Sequence, residues 1–373
     1  MEFCKTTPMK YVLIFSIVLS QTCFSQQSTV ENIFIITTDG FRWQELFTGA
    51  DSAILFNSKY VHDTSLMRHM YWADSQHERR KKLMPFLWNF VSEKGQLWGN
   101  RNYGNEVSVN NPYRFSYAGY NEIFTGFADR SVIVNKPKRN RNKNVFSFLN
   151  SLPAFKSKVA VFGSWNLMSY ILNLGKDSIP VNAGYDLQES DTLTETETIT
   201  NAIQQISEYN KMSTRADILT FTLATEYIRR KHPRIVYISL GETDEFAHHG
   251  EYDNYLNQAN QFDKMLSELW GLIQRDVFYK DKTSLFITTD HGRGRRAGKW
   301  SAHGPFIRGS EETWMVQLGP NIKALGEVKT TADLSNEQFA QTIAAYLGYV
   351  FTADHEVAEM PYTFKQEAGH SAK

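Results

Sequence analysis

Aspartates and histidines of this chain recur in one order, and together they could do chemistry. Thr38-Asp39-Gly40 comes first, then Asp244 to His248, then Asp290-His291-Gly292, then His303-Gly304, with Ser116 between the first and second stretches. Carboxylate and imidazole suit zinc, and manganese would also fit. The four stretches supply enough of both for two divalent ions. Three residues separate Asp244 from His248, so a helical turn puts both side chains on one face. His249 beside it points elsewhere and reads as a bystander. Asp290 and His291 can both reach a metal where a turn redirects the second side chain. His303, in Trp300-Ser301-Ala302-His303-Gly304-Pro305, completes an Asp-His-His set with Asp244 and His248. That set leaves a position open for substrate, as catalytic metals require. Each piece alone has a plain structural reading: a surface pair, a turn, a solvated loop histidine. Ser116 is the candidate nucleophile, against the plain alternative of a serine with no role. Its hydroxyl is weak at neutral pH, and metal coordination can lower its pKa and fix its direction. The whole set suggests metal-assisted chemistry on an oxyanion ester.

The elements that must carry these residues are legible too. Glu31 to Thr38 is an apolar, β-branched run stopping at Asp39-Gly40, the pattern of a buried parallel strand. Lys158 to Phe162, Arg234 to Leu240 and Ser284 to Thr289 repeat the style, and Thr313 to Leu318 is a further strand. Helical patterns span Leu83 to Glu93, Thr198 to Tyr209, Thr214 to Lys231, Tyr255 to Arg275 and Glu337 to Leu347, with a helix start at Tyr120 to Thr125 after Ser116. Strands alternating with helices predict a doubly wound α/β layer. Ligands bind such sheets outside the carboxyl ends of the strands, where Asp39, Asp244 and Asp290 fall. Asp51 to Arg80, with His62, His69 and His77, reads as polar and irregular. Lys136 to Lys143 reads as a basic surface stretch, and residues 166–231 hold a possible small cap.

The chain has 373 residues, 42% of them hydrophobic, so it can bury a large core, which argues against disorder. Lys+Arg and Asp+Glu are both 40, and the zero formal charge argues against nucleic-acid binding through bulk charge. Lys5 and Lys10 precede an apolar run from Tyr11 to Leu19, with Cys23 and Ser25 at the −3 and −1 positions before Gln26. This predicts a signal peptide over residues 1–25 and export to the periplasm or cell exterior. The run is too short to span a bilayer, so the mature chain is expected to have no transmembrane helix. Lipidation at Cys23 is the alternative, though Ser20-Gln21-Thr22 matches a lipid-attachment box poorly. Both cysteines, Cys4 and Cys23, lie in this segment. The mature chain, 26–373, then has no disulfide and no thiolate ligand, and its metal ligands must be His and carboxylate.

These residues resemble the alkaline phosphatase superfamily, most closely its type I phosphodiesterase/nucleotide pyrophosphatase branch. The matching pieces are Asp39, Ser116 followed by Thr125-Gly126, Asp244 with His248, Asp290-His291-Gly292 and His303-Gly304, spanning about Asn32 to Pro305. The resemblance implies an α/β fold with a central, mostly parallel sheet, helices on both faces and a small cap insertion. It implies one metal at Asp244, His248 and His303, and a second at Asp39, Asp290, His291 and the Ser116 oxygen. It matches Asn135 to an asparagine that helps hold a phosphoryl oxygen. The chain departs from the branch in two places. Tyr117-Ala118-Gly119-Tyr120 stands where the diesterases read Phe-Pro-Asn-His, and the nucleophile is Ser rather than Thr. The sulfatase pattern around the nucleophile is absent.

The expectation is an exported two-metal, phosphodiesterase-like hydrolase of a small-molecule phosphoester, acting through Ser116 and a phosphoseryl intermediate. A phosphomonoesterase or phosphotransferase on the same site is one alternative. A non-catalytic metal- or glycan-binding protein on this scaffold is the other. Arg114, Arg293 and Arg295 are candidates to meet the transferred group's charge. Tyr117, Tyr120, Trp165 and Phe246 are candidates for an aromatic wall.

Overall fold

The structure is a computed structural model that describes Met1 and residues 30–132, 135–174, 179–206 and 214–365. The rest of the expected signal segment, with Cys4 and Cys23, lies outside the described residues, as do Ile133 and Val134.

Eleven strands run in chain order: β1 Asn32–Thr38, β2 Gly95–Trp98, β3 Asn105–Ser108, β4 Val159–Gly163, β5 Val181–Ala183, β6 Ile235–Leu240, β7 Thr283–Thr288, β8 Glu312–Thr313, β9 Met315–Leu318, β10 Gly326–Glu327 and β11 Ala332–Ser335. Eight form the main sheet, in the order β10-β2-β9-β7-β1-β6-β4-β5, and β11-β3-β8 form a small second sheet. From β7 to β5 the main sheet is parallel, and β9 joins antiparallel between β7 and β2.

The central strand β1 shows why its run from Ile33 to Ile36 is apolar. Phe34 and Ile36 enter one core cluster, Ile33 and Ile35 the other, so both faces are covered. One face carries the long Tyr252–Arg275 helix and the Asp217–Lys231 helix. The other carries Ser116–Thr125, Val145–Ser151 and Gln338–Tyr346. This is the mostly parallel α/β fold that the strand–helix alternation predicts. Within 166–231, β5 is the edge strand of the main sheet, and the Asp217–Lys231 helix packs on β4 and β6. Among the described residues no helix is long and apolar enough to cross a membrane.

Local departures from expectation have local causes. Asp51 to Arg80 is not irregular: it holds helices Ser52–Leu55, Thr64–Tyr71 and most of Gln76–Leu83, capped by Asp51, Asp63 and Ser75. Each cap side chain accepts a first-turn amide, which offsets a polar composition that hides the helical period. The helix expected over Leu83 to Glu93 breaks at Met84, the residue before Pro85, and continues into a π-helical turn, Leu87–Val91. Thr313 to Leu318 divides at Trp314 between the two sheets. The helix expected at Thr198 begins at Glu195, and its last described residue is Ile206. Helix Ser116–Thr125 begins at the serine itself rather than at Tyr120.

Candidate active site

β7, β1 and β6 lie side by side and parallel, so their carboxyl ends open on one edge. Asp39 follows β1, its amide donating to Leu240 O at 2.9 Å. Gly40 has φ +57°, and a Cβ there would sit 2.6 Å from Asp244 Oδ1, so this turn needs glycine. The Gly40 amide donates to Asp290 Oδ1 at 3.0 Å. Thr243 Oγ1 donates to Asp39 O at 2.6 Å, which ties the Glu242–His249 helix to the end of β1. That helix carries Asp244 and His248 on one face. Asp290 and His291 leave β7 in the turn that the Asp-His-Gly spacing predicts.

Ser116 is held from behind. The Asn110 and Asn111 amides and Asn111 Nδ2 each donate to the buried Glu122 carboxylate at 2.8 Å. Asn111 Oδ1 accepts from the Arg114 amide at 2.7 Å. Arg114 has φ +54°, a left-handed conformation that costs a branched-off side chain energy. Its carbonyl faces His303 Nδ1 at 3.0 Å. A carbonyl only accepts, so Nδ1 carries the proton and Nε2 offers a lone pair to the site. His291 is set the same way, with Nδ1 3.0 Å from Gly292 O.

The side chains converge. Ser116 Oγ lies 3.4 Å from Asp39 Oδ1 and 3.3 Å from His291 Nε2. His291 Nε2 lies 3.4 Å from Asp39 Oδ1 and 3.5 Å from Asp290 Oδ2. Across the site, Asp244 Oδ2 is 2.9 Å from His248 Nε2, which is 3.2 Å from His303 Nε2. The His291 and His303 rings stack at 3.9 Å. Thus Asp39, Ser116, Asp244, His248, Asp290, His291 and His303 share one site. Asp39, Asp290 and His291 form one group able to hold a metal ion, and Asp244, His291 and His303 form another.

The electrostatics ask for cations. Burial, then the Asp290 and Asp244 carboxylates, hold Asp39 well above the usual carboxylate range. Burial pushes Asp290 up to about 7. Its Oδ2 is buried with no hydrogen-bond partner among the described residues, a costly state for a carboxylate oxygen. Burial would also raise Asp244, but Arg293, His248 and His303 pull it well below the usual range. Burial, then the His291 ring, lowers His303 to about 2, which leaves its Nε2 free of a competing proton. Crowded carboxylates, an orphaned oxygen and facing imidazole lone pairs fit divalent metal ions, and neutral hydrogen bonds do not satisfy them.

Asn135 reaches the mouth of the site, its Oδ1 accepting the Tyr117 amide at 3.0 Å. A cleft of about 210 Å³ opens over Ser116 and His248, walled by Asn135, Trp165, Thr214 and Glu245. The other expected wall residues do not line it. Tyr117 donates to Lys138 O, Tyr120 donates to Asp39 Oδ2 at 3.1 Å, and Phe246 packs on the core. Two of the candidate arginines are engaged elsewhere, Arg114 with Glu311 and Arg295 with Glu312, while Arg293 pairs with Asp244 at the site itself. His62 pairs with Asp253, and His77 with Glu78, outside the site. Thr214 and Glu245 carry no sequence signal, because only folding brings them to the cleft.

No protein-family model matches the chain, and no curated protein matches it in sequence. Solved structures do resemble it. A variant of the alkaline phosphatase PafA superposes with a TM-score of 0.59 at 10% identity, covering 90% of this chain and 98% of that one. The 2-O GAG sulfatase BT1596 gives 0.57 at 12%, covering 92% and 75%. The phosphonate monoester hydrolase of Agrobacterium radiobacter gives 0.55 at 11%, covering 92% and 78%. Such identities speak to architecture alone, and on that ground the chain has the fold of the alkaline phosphatase superfamily.

Proposed function

We propose that this protein is an exported, metal-dependent phosphoric ester hydrolase that prefers diesters and uses Ser116 as nucleophile. The observation that carries the reading is the position of Ser116 Oγ, at the start of a helix and 3.3–3.4 Å from His291 Nε2 and Asp39 Oδ1. One metal is assigned to Asp39, Asp290, His291 and Ser116, and the other to Asp244, His248 and His303. Divalent ions, zinc or manganese, would supply Lewis-acid stabilisation of the charge on the transferred group. The Ser116 hydroxyl passes its proton to Asp39 Oδ1 as the oxygen attacks phosphorus in line. A bond forms from Oγ to phosphorus as the bond to the leaving ester oxygen breaks, giving a phosphoseryl intermediate that water then cleaves. The positive end of the Ser116–Thr125 helix favours the negative phosphoryl group. Asn135 Oδ1 accepts the Tyr117 amide, which turns its amide NH2 toward a phosphoryl oxygen.

The preference for a diester rests on charge. Among the described residues lining the cleft there is no Lys or Arg, while Trp165 and Glu245 are there. A doubly charged monoester lacks a cationic partner on this wall. A singly charged diester does not need one, and Trp165 can cover its second ester group. Export rests on residues 1–25.

Purified mature protein with zinc or manganese should release p-nitrophenol from bis-p-nitrophenyl phosphate well above p-nitrophenyl phosphate, with a phosphonate monoester and a sulfate ester as further arms. Asp244→Ala should abolish release. Ser116→Ala should lower turnover by at least about 100-fold while zinc binding persists. Faster monoester turnover would move the protein to the phosphatase reading. Unchanged turnover in Ser116→Ala would remove the nucleophile assignment.

A further inference from the structure

Arg293 is fully buried beside the site, and its surroundings are unequal on the two sides. Its Nη1 donates to Asp244 Oδ1 at 2.5 Å, and Nη2 donates to Ser301 O at 3.0 Å. Its Nε has no partner among the described residues. Asp244 therefore keeps one oxygen, Oδ2, facing His248. Asp290, by contrast, meets no arginine: Oδ1 takes the Gly40 amide, and Oδ2 is bare beside His291. Burial differs in the same sense. Asp290 and His291 side chains are fully buried, whereas the His248 side chain is 48% exposed.

We infer that Arg293 makes the two metal positions unequal, with one ion held tightly by Asp39, Asp290 and His291 and a second, exchangeable ion at Asp244, His248 and His303. The inference rests on the two-metal reading above. A guanidinium is a permanent cation. With the guanidinium itself fully buried, its repulsion of a neighbouring divalent ion exceeds the orienting value of one hydrogen bond to Asp244. The half-exposed His248 adds a ligand that solvent can replace. Arg293 is thus a positioning residue, a built-in charge that substitutes for part of the second ion. The tight position includes the nucleophile, so Ser116 keeps its ion when metal is scarce. The exchangeable one makes activity responsive to metal supply.

The test is zinc titration of metal-free protein against a chromophoric chelator, read as dissociation constants rather than turnover. Wild type should show two constants at least tenfold apart. Asp290→Asn should remove the tighter, and His248→Ala the weaker. Arg293→Gln should tighten the weaker by tenfold or more, while Arg293→Lys, which keeps the charge, should leave the gap. Two equal constants in wild type overturn the inference, as does loss of the tighter site in His248→Ala or weaker binding in Arg293→Gln. Thermal unfolding checks that Arg293→Gln folds. If it does not, the wild-type, Asp290→Asn and His248→Ala arms still decide. No zinc bound at any concentration overturns the metal-dependent hydrolase reading as well, whereas two equal sites overturn only this inference.

Discussion

At the scale of residues, the site depends on close backbone approaches as much as on ligands. A Cβ on Gly119 would run into the Asp290 carbonyl, so the Ser116 helix can pack this near only with glycine there. Gly119→Ala should therefore cost about 1–3 kcal/mol, as overpacking does, and should push Ser116 away from Asp39. Urea denaturation measures the first effect and kcat the second. Tyr120 works differently. Its hydroxyl donates to Asp39 Oδ2, and such outer partners of metal ligands typically carry about 10–100-fold in affinity or activity. Tyr120→Phe should lose zinc affinity or kcat in that range with little change in melting temperature. A variant with unchanged affinity and turnover would leave that hydroxyl with a packing role alone.

At the scale of elements, the Tyr252–Arg275 helix is the spine of one face. It anchors a neighbouring segment through Asp263, whose carboxylate accepts the Phe86 and Leu87 amides at 2.7 and 2.9 Å. Burial pushes this carboxyl up to about 7, while the two amides pull the other way. A folded value above the unfolded one, about 4, means that the folded state favours the proton. The stabilising contribution is then complete below pH 4 and is lost as pH rises through 7. Asp263→Asn removes the titrating group. Wild type should lose stability relative to the variant between pH 5 and pH 8, by roughly 2–3 kcal/mol, read from urea melts at the two pH values. Wild type gaining on the variant instead would mean that the two amides outweigh burial.

At the scale of the whole molecule, one sheet brings together residues from Asp39 to His303. The mutual repulsion of Asp39, Asp244 and Asp290 opposes that assembly, and on the two-metal reading proposed above cations would balance it. An ion that binds only the folded state stabilises it by about 4 kcal/mol when present at a thousand times its dissociation constant. Chelation should thus lower the melting temperature by on the order of 5 °C or more, seen by calorimetry with and without EDTA. Asp290→Asn should shrink that difference. A melting temperature indifferent to chelator would mean that the carboxylates are balanced by protons.

The sequence by itself determined the strands that carry the site, because a strand covered on both faces must be largely apolar, as Asn32–Thr38 and Ile235–Leu240 are through their middles. It also determined the order of the candidate ligand residues, since acids and imidazoles at strand ends have a recognisable local pattern. It offered Arg293 only as one of three arginines that could meet the transferred group's charge, and folding buries it against Asp244 instead. It was silent on the role of Tyr120, read as a wall and found on Asp39, and on the Glu245–Thr214 side of the cleft. Those roles come from contacts between residues 31 to 81 positions apart. Local composition does not encode such distances, and only the closed tertiary structure decides which charge meets which.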